Sequence, residues 1–158
     1  MRVGTVTQPS AIDGSGLRIA VARATFNEDI TGGLLTGALQ WMEGVGVGDV
    51  TVVEVPGAFE LPLVAQTLVA DHDAVIALGA VVLGDTDHYD HVAHRTSEGL
   101  MRVMLDSGVP VAFGVLTVRE AEHAWVRSRP DAHNKGAEAA AAAVQTALLL
   151  RSLQKPPG

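Results

Sequence analysis

The sequence predicts an α/β protein: a three-layer sandwich in which a four-stranded parallel sheet is flanked by helices. Three observations predict it. Short apolar or β-branched runs alternate four times with longer segments at helical spacing, the pattern of a parallel sheet wound with helices. The run DAVIALGAVV (73–82) is apolar at nearly every position, as a strand covered on both faces requires. A chain of 158 residues with 47% apolar composition is enough for one domain with a sizeable core.

Each element has a local reason. LRIAVARA (17–24) is a short apolar run and reads as the first strand. Residues 29–44 carry Ile30, Leu34, Leu35, Ala38 and Met42 at helical spacing. GVGVGD (44–49) is a Gly-rich turn, and the β-branched TVVEV (51–55) is the second strand. Pro56-Gly57 stops it. Residues 59–71 read as a helix, with Pro62 tolerable only in the first turn. Strand 73–82 follows. Residues 89–107 then place Val92, Thr96, Leu100 and Val103 on one helical stripe. PVAFGVLT (110–117) is the fourth strand, Glu120–Arg127 a short helix and Gly136–Leu153 a long one. Crossovers between parallel strands are expected to be right-handed.

Residues 1–16 read as a flexible N-terminal arm that a partner subunit would order, 17–153 as a single domain, and 154–158 as a frayed tail. The arm lacks the apolar block of a signal peptide, and no run is long enough to cross a bilayer. No cysteine is present, which excludes disulfides, thiolate catalysis and Cys-ligated zinc. The expected location is the cytoplasm. Net charge is −7 and aromatics are 4%, with no basic run, so nucleic-acid binding has no support. The long helix contains AEAAAAAV (137–144). This reads either as helix propensity alone or as a surface for close helix–helix approach in an oligomer.

Ligands of open α/β sheets bind beyond the carboxyl ends of the strands. That rule selects four loops: Thr25-Phe26-Asn27, Pro56 to Glu60, Leu83 to His88, and Thr117 to Glu120. In the third loop, N–H groups of Gly84-Asp85-Thr86 before a helix could cradle a phosphate. Thr86 or Asp87 could equally be an ordinary N-cap, and the carboxylates of Asp85 and Asp87 oppose an anion. His88 is either a general acid/base near neutral pH or a solvated surface residue. His88, His91 and His94 form H-x2-H-x2-H, but they drift round the helix and have no carboxylate cluster beside them, so no metal is expected. His72, His123 and His133 read as surface residues.

Phe26 could stack on a planar heterocycle, although a core position is at first sight the better reading of an aromatic at a strand end. Glu60 suits the first turn of a helix and could hydrogen-bond a hydroxylated ligand. GVGVGD precedes a strand instead of following one, so it is no dinucleotide fingerprint; neither G-x-S-x-G nor a Walker loop occurs. The residues alone therefore point to a small α/β protein whose loops bind a phosphorylated, partly aromatic small molecule.

Four pieces taken together are more specific. FNEDI (26–30), VPGAFELPLVA (55–65), ALGAVVLGDTDHYDHV (77–92) and FGVLT…NKGAEAA (113–140) occur in this order. In sequence and spacing they resemble the 6,7-dimethyl-8-ribityllumazine synthase family, over roughly residues 17–152. The resemblance implies a flavodoxin-like fold, pentamers or multiples of pentamers, and sites between neighbouring subunits. It implies a transferase of riboflavin biosynthesis. Such an enzyme joins 5-amino-6-ribitylaminouracil to 3,4-dihydroxy-2-butanone 4-phosphate and releases phosphate, without metal or organic cofactor. By the same resemblance Phe26 stacks on the pyrimidine with Asn27 beside it. Ala58, Phe59 and Glu60 hold the ring and ribityl chain, and Val82 and Phe113 line the pocket. Gly84, Asp85 and Thr86 bind phosphate, and His88 transfers protons. Arg127, on phosphate, and Lys135 come from the adjacent subunit.

Three departures stand out. Leu83 occupies a position that is usually arginine in the family, Tyr89 one that is usually phenylalanine, and SRPDAH (128–133) replaces a small Gly/Lys-containing loop. Arg129 is a second candidate for the phosphate. Two other functions fit the same residues: a diverged paralogue with a different carbonyl or diamine substrate, and a non-catalytic ring protein that binds flavin or lumazine.

Overall fold

The computed structural model describes residues 12–154. Residues 1–11 of the predicted arm and 155–158 of the predicted tail lie outside the described residues. Residues 12–16 run against the domain. The Gly14 N–H donates to the Val45 carbonyl at 2.6 Å, and Ile12 packs on the core.

The elements follow in the expected order: β1 (Arg18–Ala24), α1 (Glu28–Gly44), β2 (Asp49–Val55), α2 (Leu61–Leu68), β3 (Ala74–Val82), α3 (His88–Ser107), β4 (Val111–Val118), α4 (Ala121–Ser128) and α5 (Lys135–Gln154). The helix expected over 59–71 differs most. It opens as a 3-10 turn, Ala58–Glu60, and α2 proper is shorter. Pro62 stands in its first turn, where a missing N–H leaves no helix bond unmade. β2 starts two residues early because it is registered on β1 from Arg18↔Asp49, a pair joined by an ion pair of 3.2 Å.

The four strands are all parallel, in the order β2-β1-β3-β4. β3 is buried from Ala74 to Val81, and its alternating side chains serve two cores. Ala74, Ile76, Leu78 and Ala80 join the cluster containing Leu34, Met42 and Val144 of α1 and α5. Val75, Ala77 and Val81 join the cluster containing Leu61 of α2 and Leu100 and Val103 of α3. The chain therefore winds to one face through α1 and to the other through α2 and α3. The winding direction reverses between β1 and β3, which opens a crevice at their carboxyl ends.

The alanine-rich helix lies along α1 of the same chain. Ala139, Ala140, Ala141, Ala143 and Ala147 are all buried within the one protomer. A Cβ at Gly136 would run into the Leu34 carbonyl, and one at Gly33 into the Ser128 carbonyl. Close approach is thus a function of these small residues, and within the protomer the helix approached is α1. Asn134 locks the contact. Its amide donates to the Gly33 carbonyl at 3.1 Å and the Arg129 carbonyl at 2.9 Å. Its Oδ1 accepts from the Ala137 N–H at 3.0 Å, which caps α5. Among the described residues no helix is long and apolar enough to cross a membrane.

Candidate active site

A cleft of about 660 Å³ lies at the carboxyl edge of the sheet. It is lined by Phe26 after β1, Pro56 to Glu60 after β2, Ala80 to Val82 at the end of β3, and His88, His91 and Val92 of α3. Three of the four loops selected from the sequence thus converge on it. Phe26, Ala58, Phe59, Glu60, Val82 and His88 are brought together.

Phe26 is 70% exposed, so the core reading of this aromatic is wrong. The β1–β2 ladder continues one step past the strands, with Thr25 N–H on the Val55 carbonyl at 2.8 Å and Phe26 N–H on the Pro56 carbonyl at 3.0 Å. This leaves residue 26 above the sheet, where no helix among the described residues covers it. Asn27 then reverses the chain at φ 61°, ψ 50°, a left-handed conformation that asparagine tolerates better than most residues. Its carbonyl accepts from Ile30 and Thr31 at 3.0 Å each to start α1. Its amide donates to the Ala80 carbonyl at 3.1 Å. Asn27 therefore ties the Phe26 loop to β3.

The opposite wall is the 3-10 turn. Ala58 is buried, whereas Phe59 is 59% exposed at the cleft. The buried Thr96 hydroxyl donates to the Ala58 carbonyl at 3.2 Å, fixing this turn to α3. Sequence periodicity placed Thr96 on the α3 stripe; its anchoring role depends on the tertiary contact. The stripe itself buries Ala93, Thr96, Leu100 and Val103, while Val92 faces the cleft.

His88 is the first residue of α3 and is exposed. Its N–H donates to the Thr86 hydroxyl at 3.3 Å, so Thr86 supports the helix start and Asp87 makes no side-chain cap. Gly84, Asp85, Thr86 and Asp87 form an exposed loop beside the cleft. His91 shares the cleft with His88, whereas His94 is not among its lining residues. Among the described residues no group of three His, Asp or Glu side chains is placed to hold a metal.

Other candidates lie elsewhere in the protomer. Phe113 and Lys135 line a separate hollow of about 210 Å³ with Glu138 and Ala142, beyond the edge strand β4. The Lys135 ammonium pairs with Glu138 at 2.8 Å. Arg127 is on α4, its guanidinium donating to the His123 carbonyl at 2.9 Å. β4 is at the sheet margin, and α4 and α5 pack in the α1 layer, so none of the three lines the cleft of its own chain. His123 and His133 are exposed as expected, but His72 is not a surface residue. Its side chain is 5% exposed, with Nδ1 donating to the Leu68 carbonyl at 2.9 Å and Nε2 meeting the Thr51 hydroxyl at 3.1 Å. Only the packing of the α2 end against β2 puts these groups together.

The cleft offers an exposed aromatic face, a carboxylate, two imidazoles and a loop of backbone amides. That set can hold a planar polar ring, bind hydroxyls and move protons. Comparison with known proteins gives a consistent result. The family profile described as 6,7-dimethyl-8-ribityllumazine synthase matches residues 16–151. The sequence is 50% identical over 150 residues to the 6,7-dimethyl-8-ribityllumazine synthase of Mycolicibacterium vanbaalenii, covering 94% of this chain and 96% of the relative. It is 47% identical over 149 residues to that of Kineococcus radiotolerans, covering 92% of each. With that of Thermococcus gammatolerans it shares 48% over 144 residues, covering 90% of this chain and 93% of the relative.

Proposed function

Since the chain belongs to the 6,7-dimethyl-8-ribityllumazine synthase family, we propose that this cleft condenses 5-amino-6-ribitylaminouracil with 3,4-dihydroxy-2-butanone 4-phosphate. The products are the lumazine, inorganic phosphate and water. The observation that carries the assignment is the convergence of Phe26, Glu60 and His88 from three separate loops on one cleft.

The exposed Phe26 ring stacks on the pyrimidine, and Asn27 lies beside it as the clamp that holds the loop. Val82 lines the floor. Ala58, Phe59 and Glu60 hold the ring and the ribityl chain, the Glu60 carboxylate accepting from hydroxyls. Gly84, Asp85 and Thr86 receive the phosphate through their N–H groups and the Thr86 hydroxyl. The 5-amino group adds to the ketone and water leaves to form an imine. A proton is lost next to the imine carbon as phosphate departs, and the ribityl nitrogen closes the ring with loss of a second water. Every step moves a proton, and His88 at the cleft wall serves as donor and acceptor. The substrate brings its own nucleophile, and holding the two molecules together supplies much of the rate.

Phe113, Arg127 and Lys135 enter this scheme from an adjacent subunit. That places the active sites between subunits of a pentamer or a multiple of pentamers, working in the cytoplasm. The separate hollow beyond β4 supports this reading, because a site that used these residues would need a second copy. The test is lumazine absorbance after the purified chain is mixed with both substrates. Turnover is expected; a folded, assembled protein without turnover would refute the assignment.

A further inference from the structure

The cleft is lined by one carboxylate, Glu60, and two imidazoles, with no lysine or arginine among its lining residues. The adjoining Gly84–Asp87 loop adds two carboxylates, Asp85 and Asp87. Arg127 enters from the adjacent subunit, so a phosphate dianion held there by N–H groups would face this negative charge without a cation from the same protomer.

β4 brings one to the loop. Its register with β3 ends at Val82↔Val118, and the Leu83 N–H donates to the Val118 carbonyl at 2.9 Å. Arg119 is the next residue. Its backbone therefore runs beside Leu83, about one strand spacing or 5 Å away, at the base of the Gly84–Asp87 loop. Val111 and Val115 of β4 pack in the α2–α3 layer, and Arg119 begins the bend that follows the strand's last residue, Val118. Arg119 is exposed and has no ion pair or hydrogen-bond partner among the described residues. Arg18, Arg23, Arg95, Lys135 and Arg151 are all in ion pairs. Arg102 is in a different hollow, between α2 and α3.

We propose that Arg119 binds the phosphate group of the four-carbon substrate from the protomer that also supplies the Gly84–Thr86 loop. The proposal rests on the lumazine reading of the cleft. A guanidinium makes bidentate, charge-assisted hydrogen bonds to phosphate oxygens and offsets Asp85, Asp87 and the neighbouring Glu120.

The test compares wild type with Arg119→Gln and Arg119→Lys. Each substrate is varied in turn, and inorganic phosphate is added as an inhibitor. For the Gln variant the KM of the ketone phosphate and the Ki of phosphate are expected to rise together by about tenfold or more, with the pyrimidine KM within about twofold. The Lys variant should recover part of the loss. Equal rises in both substrate KM values would mean that Arg119 only balances the charge of the loop, and no change in either would mean no role; both outcomes overturn the proposal. Wild type without turnover would sink the reaction instead. Calorimetric binding of inorganic phosphate to wild type and variants then decides the arginine on its own: unchanged affinity in the Gln variant refutes it.

Discussion

Replacement of Asn27 by alanine tests how the aromatic wall of the cleft is held. Two contributions are lost. Alanine at φ 61° disfavours the left-handed conformation by about 1–2 kcal/mol. The amide bond to the Ala80 carbonyl, 3.1 Å, is worth about 1 kcal/mol, and its loss leaves an acceptor in a residue only 5% exposed. The sum is about 2–3 kcal/mol. For a chain of 158 residues each kcal/mol moves Tm by about 2–4 °C, so the Ala variant should melt about 4–12 °C lower. Asn27→Gly keeps the conformation open and loses mainly the amide bond, about 1 kcal/mol. The assay is thermal denaturation at one fixed protomer concentration, paired with the KM for the pyrimidine. The expected order is wild type, Gly, Ala in Tm and the reverse in KM, because a loosened loop releases Phe26. An Ala variant that melts at or above the Gly variant would refute the reasoning that backbone conformation matters here.

Three further outcomes are expected. His88→Ala should lower kcat by about 10²–10⁴ while lumazine binding, read from fluorescence quenching, stays nearly unchanged. Thr96→Val removes the hydroxyl that donates to the Ala58 carbonyl at 3.2 Å; it should cost about 1–2 kcal/mol in urea denaturation and raise the pyrimidine KM, because the 3-10 turn loses its anchor. Gly136→Ala drives a methyl group into the Leu34 backbone and forces α1 and α5 apart, so about 1–3 kcal/mol of stability should be lost in the same denaturation series.

Much of the architecture was legible from local pattern. The alternation of runs set the element order, the apolar DAVIALGAVV marked the strand buried on both faces, and Pro62 marked the start of a helix. These signals are local: side-chain period and missing N–H groups act within a few residues. The loops that line the cleft followed from the general rule on carboxyl ends, and the four motif pieces named the family. Tertiary structure decided the rest, because it depends on partners distant in the chain. Phe26 is apolar, yet it stands above the sheet at the crevice between β1 and β3, where nothing among the described residues covers it. The alanines of α5 permit close approach, but only packing shows that α1, about a hundred residues earlier by the 101-residue separation of Gly33 and Asn134, is what they approach. His72 reads as polar surface until β2 brings Thr51 to its ring. Arg119 is one arginine among nine until the β3–β4 register sets it at the base of the Gly84–Asp87 loop. Local sequence sets what each segment becomes, whereas burying both faces of one sheet sets which segments meet.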